Sequence, residues 1–169
     1  VAVRDGRIVA VAAAAELVEQ VPTASILDAG GGLILPGFVN THTHLAMTLL
    51  RGFADDLLLQ EWLSQHIWPA EGAFMRPDTV AVGTRLAAAE CIRAGVTTVC
   101  DMYFFALGIG EVLADVGLRA VVGEGLIDHP TPAAPSPEAG LRLSRELLQR
   151  FRSHPLVSGA LAPHAPYSL

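Results

Sequence analysis

Apolar residues recur with two different periods along this chain, and the changeover near Pro36 divides it. Before that point the apolar runs are short and bounded by turn residues. Val1–Arg4 and Arg7–Val11 flank Asp5-Gly6, a dipeptide that favours positive φ, and so predict a β-hairpin. Residues Ala12 to Glu19 predict a short helix. Ser25–Asp28 and Leu33–Leu35, on either side of Gly30-Gly31-Gly32, predict two further strands. Residues 1–35 are therefore expected to form part of a small, β-sandwich-like domain.

From Pro36 onward strands and helices alternate, the pattern of parallel β/α units. Strands are predicted over Gly37–Asn40, Val96–Met102, Arg119–Ile127 and Leu156–Leu161. Leu58, Trp62 and Leu63 give helical spacing between Leu57 and Ile67, with polar residues between them. A long helix is predicted from Pro77 to Ala94, with Pro at its start and Gly95 just past its end. A short helix follows over Gly110–Gly117 and another over Glu138–Phe151. Each strand hands its carboxyl end to a loop, which is where a (β/α)8 barrel places its chemistry. Such a barrel needs eight units in about 250 residues. Four units leave two parallel edges unpaired. The expected fold class is α/β, with residues 36–169 forming roughly the first four units of a barrel that continues past Leu169. The lack of an initiator Met suggests residues upstream as well.

Composition narrows the function. Apolar residues make up 51% of the chain and charged ones 17%, which suits strands buried on both faces. The longest unbroken apolar run, Ile8 to Ala15, is far too short to span a membrane. The start of the chain lacks the basic-then-apolar pattern of a signal peptide. A net charge of −6, with eleven scattered Lys and Arg, argues against nucleic acid as a partner. Cys91 and Cys100 form neither a disulfide framework nor a Cys-x-x-Cys knuckle; their apolar surroundings predict buried free thiols in a reducing cytoplasm.

The candidate chemistry lies at the end of the first barrel-type strand. His42 and His44 are two apart, so on a strand their side chains share a face. Imidazoles about 6.6 Å apart along the backbone can converge on one divalent ion. A chain with six His among 169 residues contains some His-x-His about one time in five, so the tripeptide alone is weak. Its place at the carboxyl end of a barrel strand gives it force.

The run Leu35-Pro36-Gly37-Phe38-Val39-Asn40-Thr41-His42-Thr43-His44 resembles the first metal motif of the amidohydrolase superfamily. Its continuation through Arg51-Gly52-Phe53-Ala54-Asp55-Asp56, Glu61-Trp62-Leu63 and Ile67-Trp68-Pro69-Ala70-Glu71 is similar to the 5′-methylthioadenosine/S-adenosylhomocysteine deaminase branch, relatives of triazine chlorohydrolases and guanine deaminases. Asp101-Met102-Tyr103 and Ala162-Pro163-His164-Ala165-Pro166-Tyr167 fit the same branch in order and spacing. The resemblance implies a distorted (β/α)8 barrel with a small β domain built from both ends of the polypeptide. It implies that His42 and His44 bind Zn2+ or another divalent ion such as Fe2+, Mn2+ or Ni2+, and that Glu71 and His164 contact the substrate. The implied reaction is hydrolytic deamination of an adenine nucleoside, with water activated on the metal displacing ammonia from C6. Triazine chlorohydrolase or guanine deaminase chemistry, or an inactive partial barrel, are the alternatives. The implied partner is a small molecule, a purine nucleoside or related heterocycle, and a homo-oligomer is left open. A third His, an acid/base Glu and a late Asp are expected beyond Leu169, so residues 1–169 alone are expected to have little activity.

Read from the residues alone, Glu71 is a solvated loop carboxylate unless its loop folds over the barrel mouth. His164, bracketed by Pro163 and Pro166, is either held rigidly at that mouth or caps a turn. His66 and His154 read as surface residues, His129 has no evident partner, and Asp55 and Asp56 read as solvated. Asp101 ends a barrel strand and carries a modest functional expectation. Trp62 reads as helix packing, whereas Trp68 packs or walls an apolar pocket.

Overall fold

The structure is a computed structural model that describes residues 1–169. It divides into two compact units, Val1–Pro36 and Gly37–Leu169. In the first, β1 (Ala2–Arg4) pairs antiparallel with β2 (Arg7–Ala10). Asp5 and Gly6 both take positive φ, 51° and 71°, the left-handed pair that a tight two-residue hairpin requires. Helix α1 (Ala14–Gln20) follows, with Leu17 buried. The strands expected at Ser25–Asp28 and Leu33–Leu35 are absent. Neither segment finds a neighbouring strand to take its N–H and C=O groups, and a strand does not exist without one. Leu27 and Leu33 stand 94% and 89% exposed as a result.

In the second unit the alternation expected from the sequence is present as a four-stranded parallel sheet in the order β3-β4-β5-β6. Its strands are β3 (Phe38–Thr43), β4 (Val96–Tyr103), β5 (Arg119–Leu126) and β6 (Val157–Pro163). Between β3 and β4 run a 3-10 turn (Leu45–Leu50), a helical stretch, and the long helix α4 (Pro77–Arg93). Helix α5 (Ala106–Val116) connects β4 to β5, and α6 (Pro137–Arg150) connects β5 to β6. No helix is long and apolar enough to cross a membrane.

One face of the sheet is packed. Val99, Ala120, Val122 and Val157 are buried beneath Ile109 and Leu113 of α5 and Leu147 of α6. The layers approach closely: a Cβ on Gly159 of β6 would lie 3.1 Å from the Leu148 backbone, and one on Gly83 of α4 would lie 2.7 Å from the Ala46 carbonyl oxygen. The other face has no helix on it, so Val121 is 37% exposed. Cys100 lies there and is exposed rather than buried, because strand alternation turns it away from the helices. Cys91 is half-buried, and both thiols are free.

Two helix boundaries differ from the sequence pattern for tertiary reasons. Helix α5 starts at Ala106, four residues ahead of Gly110, because the buried Glu124 of β5 accepts the Ala106 N–H at 2.9 Å. Phe105 ahead of it is left-handed, φ 59°. The stretch after Leu58 runs as α2 (Leu59–Glu61), a π-turn (Trp62–Ile67) and α3 (Trp68–Phe74). The Trp68 N–H donates to Leu63, five residues back. Pro69 explains the wider turn: it has no N–H, and its ring would strike the carbonyl four residues earlier in a regular α-helix.

Candidate active site

The carboxyl ends of β3, β4 and β6 and the π-turn enclose an open pocket of about 280 Å³. His42, His44, Glu71 and His164 all line it. His42 and His44 lie with ring centroids 5.0 Å apart, edge to face. His44 Nδ1 is 2.6 Å from the Met102 carbonyl oxygen. A carbonyl only accepts, so Nδ1 carries the proton and donates, which leaves Nε2 with a free lone pair. This is the arrangement by which a backbone carbonyl fixes the tautomer and ring plane of a metal-binding imidazole. His42 is exposed to the pocket.

The donor set thus fits a divalent ion in chemistry, with two imidazoles on one face. It is not a complete set: no cluster of three or more His, Cys, Asp or Glu side chains able to hold an ion is present. Asp101 lies directly behind the pair, 2% exposed, with Oδ1 accepting from Leu45 N–H and from the Thr43 hydroxyl. Burial pushes its carboxyl up to about 6, against those hydrogen bonds and the two histidines, which pull it down.

Glu71 is not in a loop, as its sequence neighbours suggested, but on α3, because a Pro in the first turn is compatible with a helix that continues through it. It is 5% exposed, and its Oε1 accepts a 2.7 Å hydrogen bond from the Tyr103 hydroxyl. Burial raises its carboxyl above the usual range, and the Tyr103 bond opposes that rise. Its other oxygen has no hydrogen bond within the chain. His164 follows β6, its N–H donating to Leu126 at 3.1 Å. Its Nδ1 lies 2.7 Å from Ser168 Oγ, whose own hydrogen goes to the Ala165 carbonyl. Nδ1 is then the donor and Nε2 the free acceptor. Burial, then the nearby His44 and His129, hold His164 below the ordinary imidazole range, so it is neutral at pH 7.

Apolar side chains form the remaining wall, including Met47, Leu63 and Ile67. Trp62 and Trp68 both line the pocket, so Trp62 does more than pack the helix. His129 does have a partner, the Trp68 ring, 5.4 Å away edge-on. His154 caps a turn, its Nδ1 accepting from the Val157 N–H. His66 is half-buried against Phe53. Two residues here escaped sequence reasoning. Tyr103 meets Glu71 across 32 positions, and no local pattern shows that pairing. Glu124 did leave a signal: a lone carboxylate between Gly123 and Gly125 in an otherwise apolar strand.

Residues 33–169 match the sequence profile of the amidohydrolase family. The chain belongs to the amidohydrolase family. Among curated amidohydrolase relatives, it is 50% identical over 168 residues to a 5-methylthioadenosine/S-adenosylhomocysteine deaminase of Syntrophobacter fumaroxidans, an alignment covering 99% of this chain and 38% of that protein. A crystal structure of an adenosine deaminase from Xanthomonas campestris with bound zinc superposes at a TM-score of 0.77 and 51% identity, covering 79% of this chain and 30% of that one. A guanine deaminase from C. acetobutylicum, crystallised with guanine, superposes at 0.80 over 89% of this chain and 38% of that one, but at 20% identity it speaks for the barrel fold alone. The chain spans 38% of the length of this and two other curated relatives that it matches.

Proposed function

We propose that this chain is the metal-binding and substrate-contacting front portion of a hydrolase that deaminates an adenine nucleoside, with methylthioadenosine or S-adenosylhomocysteine as the expected substrate. One observation carries the reading. The pocket brings the His42/His44 pair, a buried carboxylate and a neutral imidazole together against an apolar wall. His42 and His44 would hold a divalent ion, which would supply Lewis acidity for activating water at neutral pH.

The chain's own residues supply the rest of what is visible. Glu71, braced by Tyr103, presents a carboxylate oxygen to hydroxyl or N–H donors of the ligand. His164 presents an unprotonated nitrogen at neutral pH. Trp62, Trp68 and Met47 offer an apolar surface for the heterocycle and the thioether of its substituent. The names of relatives such as the Syntrophobacter fumaroxidans enzyme support the same substrate class. Residues 1–35 are read as part of a small β domain that other strands complete.

The test is ammonia release by the purified, zinc-loaded full-length protein from methylthioadenosine, S-adenosylhomocysteine, adenosine and guanine. Turnover of the adenine nucleosides supports the reading. Ammonia from guanine alone would overturn it.

A further inference from the structure

Strand β3 carries one residue more than its neighbour across the segment that bears the histidines. Asn40 is opposite Val99 and Thr43 is opposite Asp101, so three steps on β3 run beside two on β4. Such a bulge re-aims every side chain beyond it. Here Thr43 points to Asp101, while His42 and His44 on either side point into the pocket. The bulge is held at both ends. Upstream, the His42 N–H donates to Asn40 Oδ1 at 3.2 Å. Downstream, Asp101 Oδ1 accepts from the Thr43 hydroxyl at 2.8 Å and from the Leu45 N–H at 2.6 Å. Those two donors flank His44 in the chain.

Packing does not account for an aspartate at this position. Its neighbours on the same sheet face, Val99 and Val122, are fully buried valines. Asp101 Oδ2 is buried without a partner, a cost that an apolar residue would avoid. The next residue along β4, Met102, provides the carbonyl that fixes the His44 ring. The end of β4 therefore meets His44 through its ring, the Thr43 side chain before it and the Leu45 backbone after it.

We propose that Asp101 is the positioning residue of the His42/His44 pair: its Oδ1 clamps the chain on both sides of His44 and holds the bulge that turns both imidazoles into the pocket. This rests on the metal-binding reading above. Zinc affinity of the full-length protein, measured by chelator competition, and melting of its metal-free form separate the outcomes. Asp101→Ala is expected to weaken zinc binding about 10- to 100-fold, the range for loss of a residue that orients a metal ligand. Asp101→Asn keeps an oxygen for both donors and is expected to recover most of that loss. Thr43→Val removes one of the two donors and should fall between.

An Ala variant that melts lower but binds zinc like wild type would overturn the proposal, and so would an Asn variant as weak as the Ala variant. If Asp101→Ala does not fold, Thr43→Val decides: weakened zinc binding supports the clamp, wild-type binding refutes it. Failure of the metal reading looks different, since the unaltered protein would then bind no zinc, or bind it equally after His42→Ala.

Discussion

The two faces of the four-stranded sheet are built from the same strands and do opposite work. On the helix-covered face Val99, Val122 and Val157 are almost wholly buried against α5 and α6. On the other face, Cys100 and Val121 reach solvent and the chain turns His42 and His44 outward. Alternation along each strand assigns residues to one side or the other, so stability and chemistry are separated by residue parity. The carboxylates Asp101 and Glu124 are the exceptions: they are buried with the valines yet act on what lies at the strand ends.

The largest effect that tests this separation is expected on the open face. In the full-length protein His42→Ala should remove bound metal and abolish turnover while leaving the melting of the metal-free form unchanged, since the side chain packs against little. Metal analysis and ammonia release measure the first two; retained metal with full activity would take His42 out of the ligand set. On the covered face, Leu147→Ala deletes a fully buried side chain and should lower stability by about 2–5 kcal/mol with zinc affinity unchanged. Denaturant unfolding of the two proteins gives the difference. Changes that cross over, with Leu147→Ala altering zinc affinity or His42→Ala altering the fold, would break the division.

Glu124 gives a pH test of the covered face. Burial pushes its carboxyl up to about 7 from an ordinary 4.5, against the Ala106 N–H bond. The folded state then holds this proton more firmly than the unfolded chain. Its contribution to stability is full below about pH 4.5 and is lost as pH rises through about 7. Glu124→Gln keeps an acceptor for Ala106 and should flatten that loss, by no more than about 3 kcal/mol. Melts at pH 5 and pH 8 that differ as much in the variant as in wild type would show that Glu124 does not titrate in this range. The smallest effect is expected at Ser136, whose hydroxyl accepts the Ala139 N–H at 3.3 Å and caps α6. Ser136→Ala should cost about 1 kcal/mol, read from the shift in the unfolding midpoint, with metal binding untouched.

How much of this was legible beforehand depended on range. The β/α alternation was visible because each strand and helix writes its own period, and the four parallel strands lie close to where that period places them. Ser25–Asp28 and Leu33–Leu35 misled because their apolar pattern is a strand's, while strand formation depends on partners elsewhere. The start of α5 was hidden for the same reason, its cap being a carboxylate eighteen positions away. At the site, His42 and His44 were readable from residue type and place. Glu71 was readable only through the family resemblance, since Pro69 made its segment look like a loop and its partner Tyr103 is remote. For Asp101 the sequence displays only a carboxylate that ends a strand. Its two hydrogen bonds to the His-Thr-His segment depend on a register offset that one strand's sequence does not display.

That offset has a consequence for how the segment can vary. Substituting Thr41, which is exposed, leaves the count of residues between Asn40 and Thr43 intact and should be mild. Deleting it removes the extra residue, and every side chain downstream exchanges faces: Thr43 would turn to the pocket and His44 towards the helices. Natural or designed variants should therefore tolerate other residues at Thr41 but no change in the length of this segment.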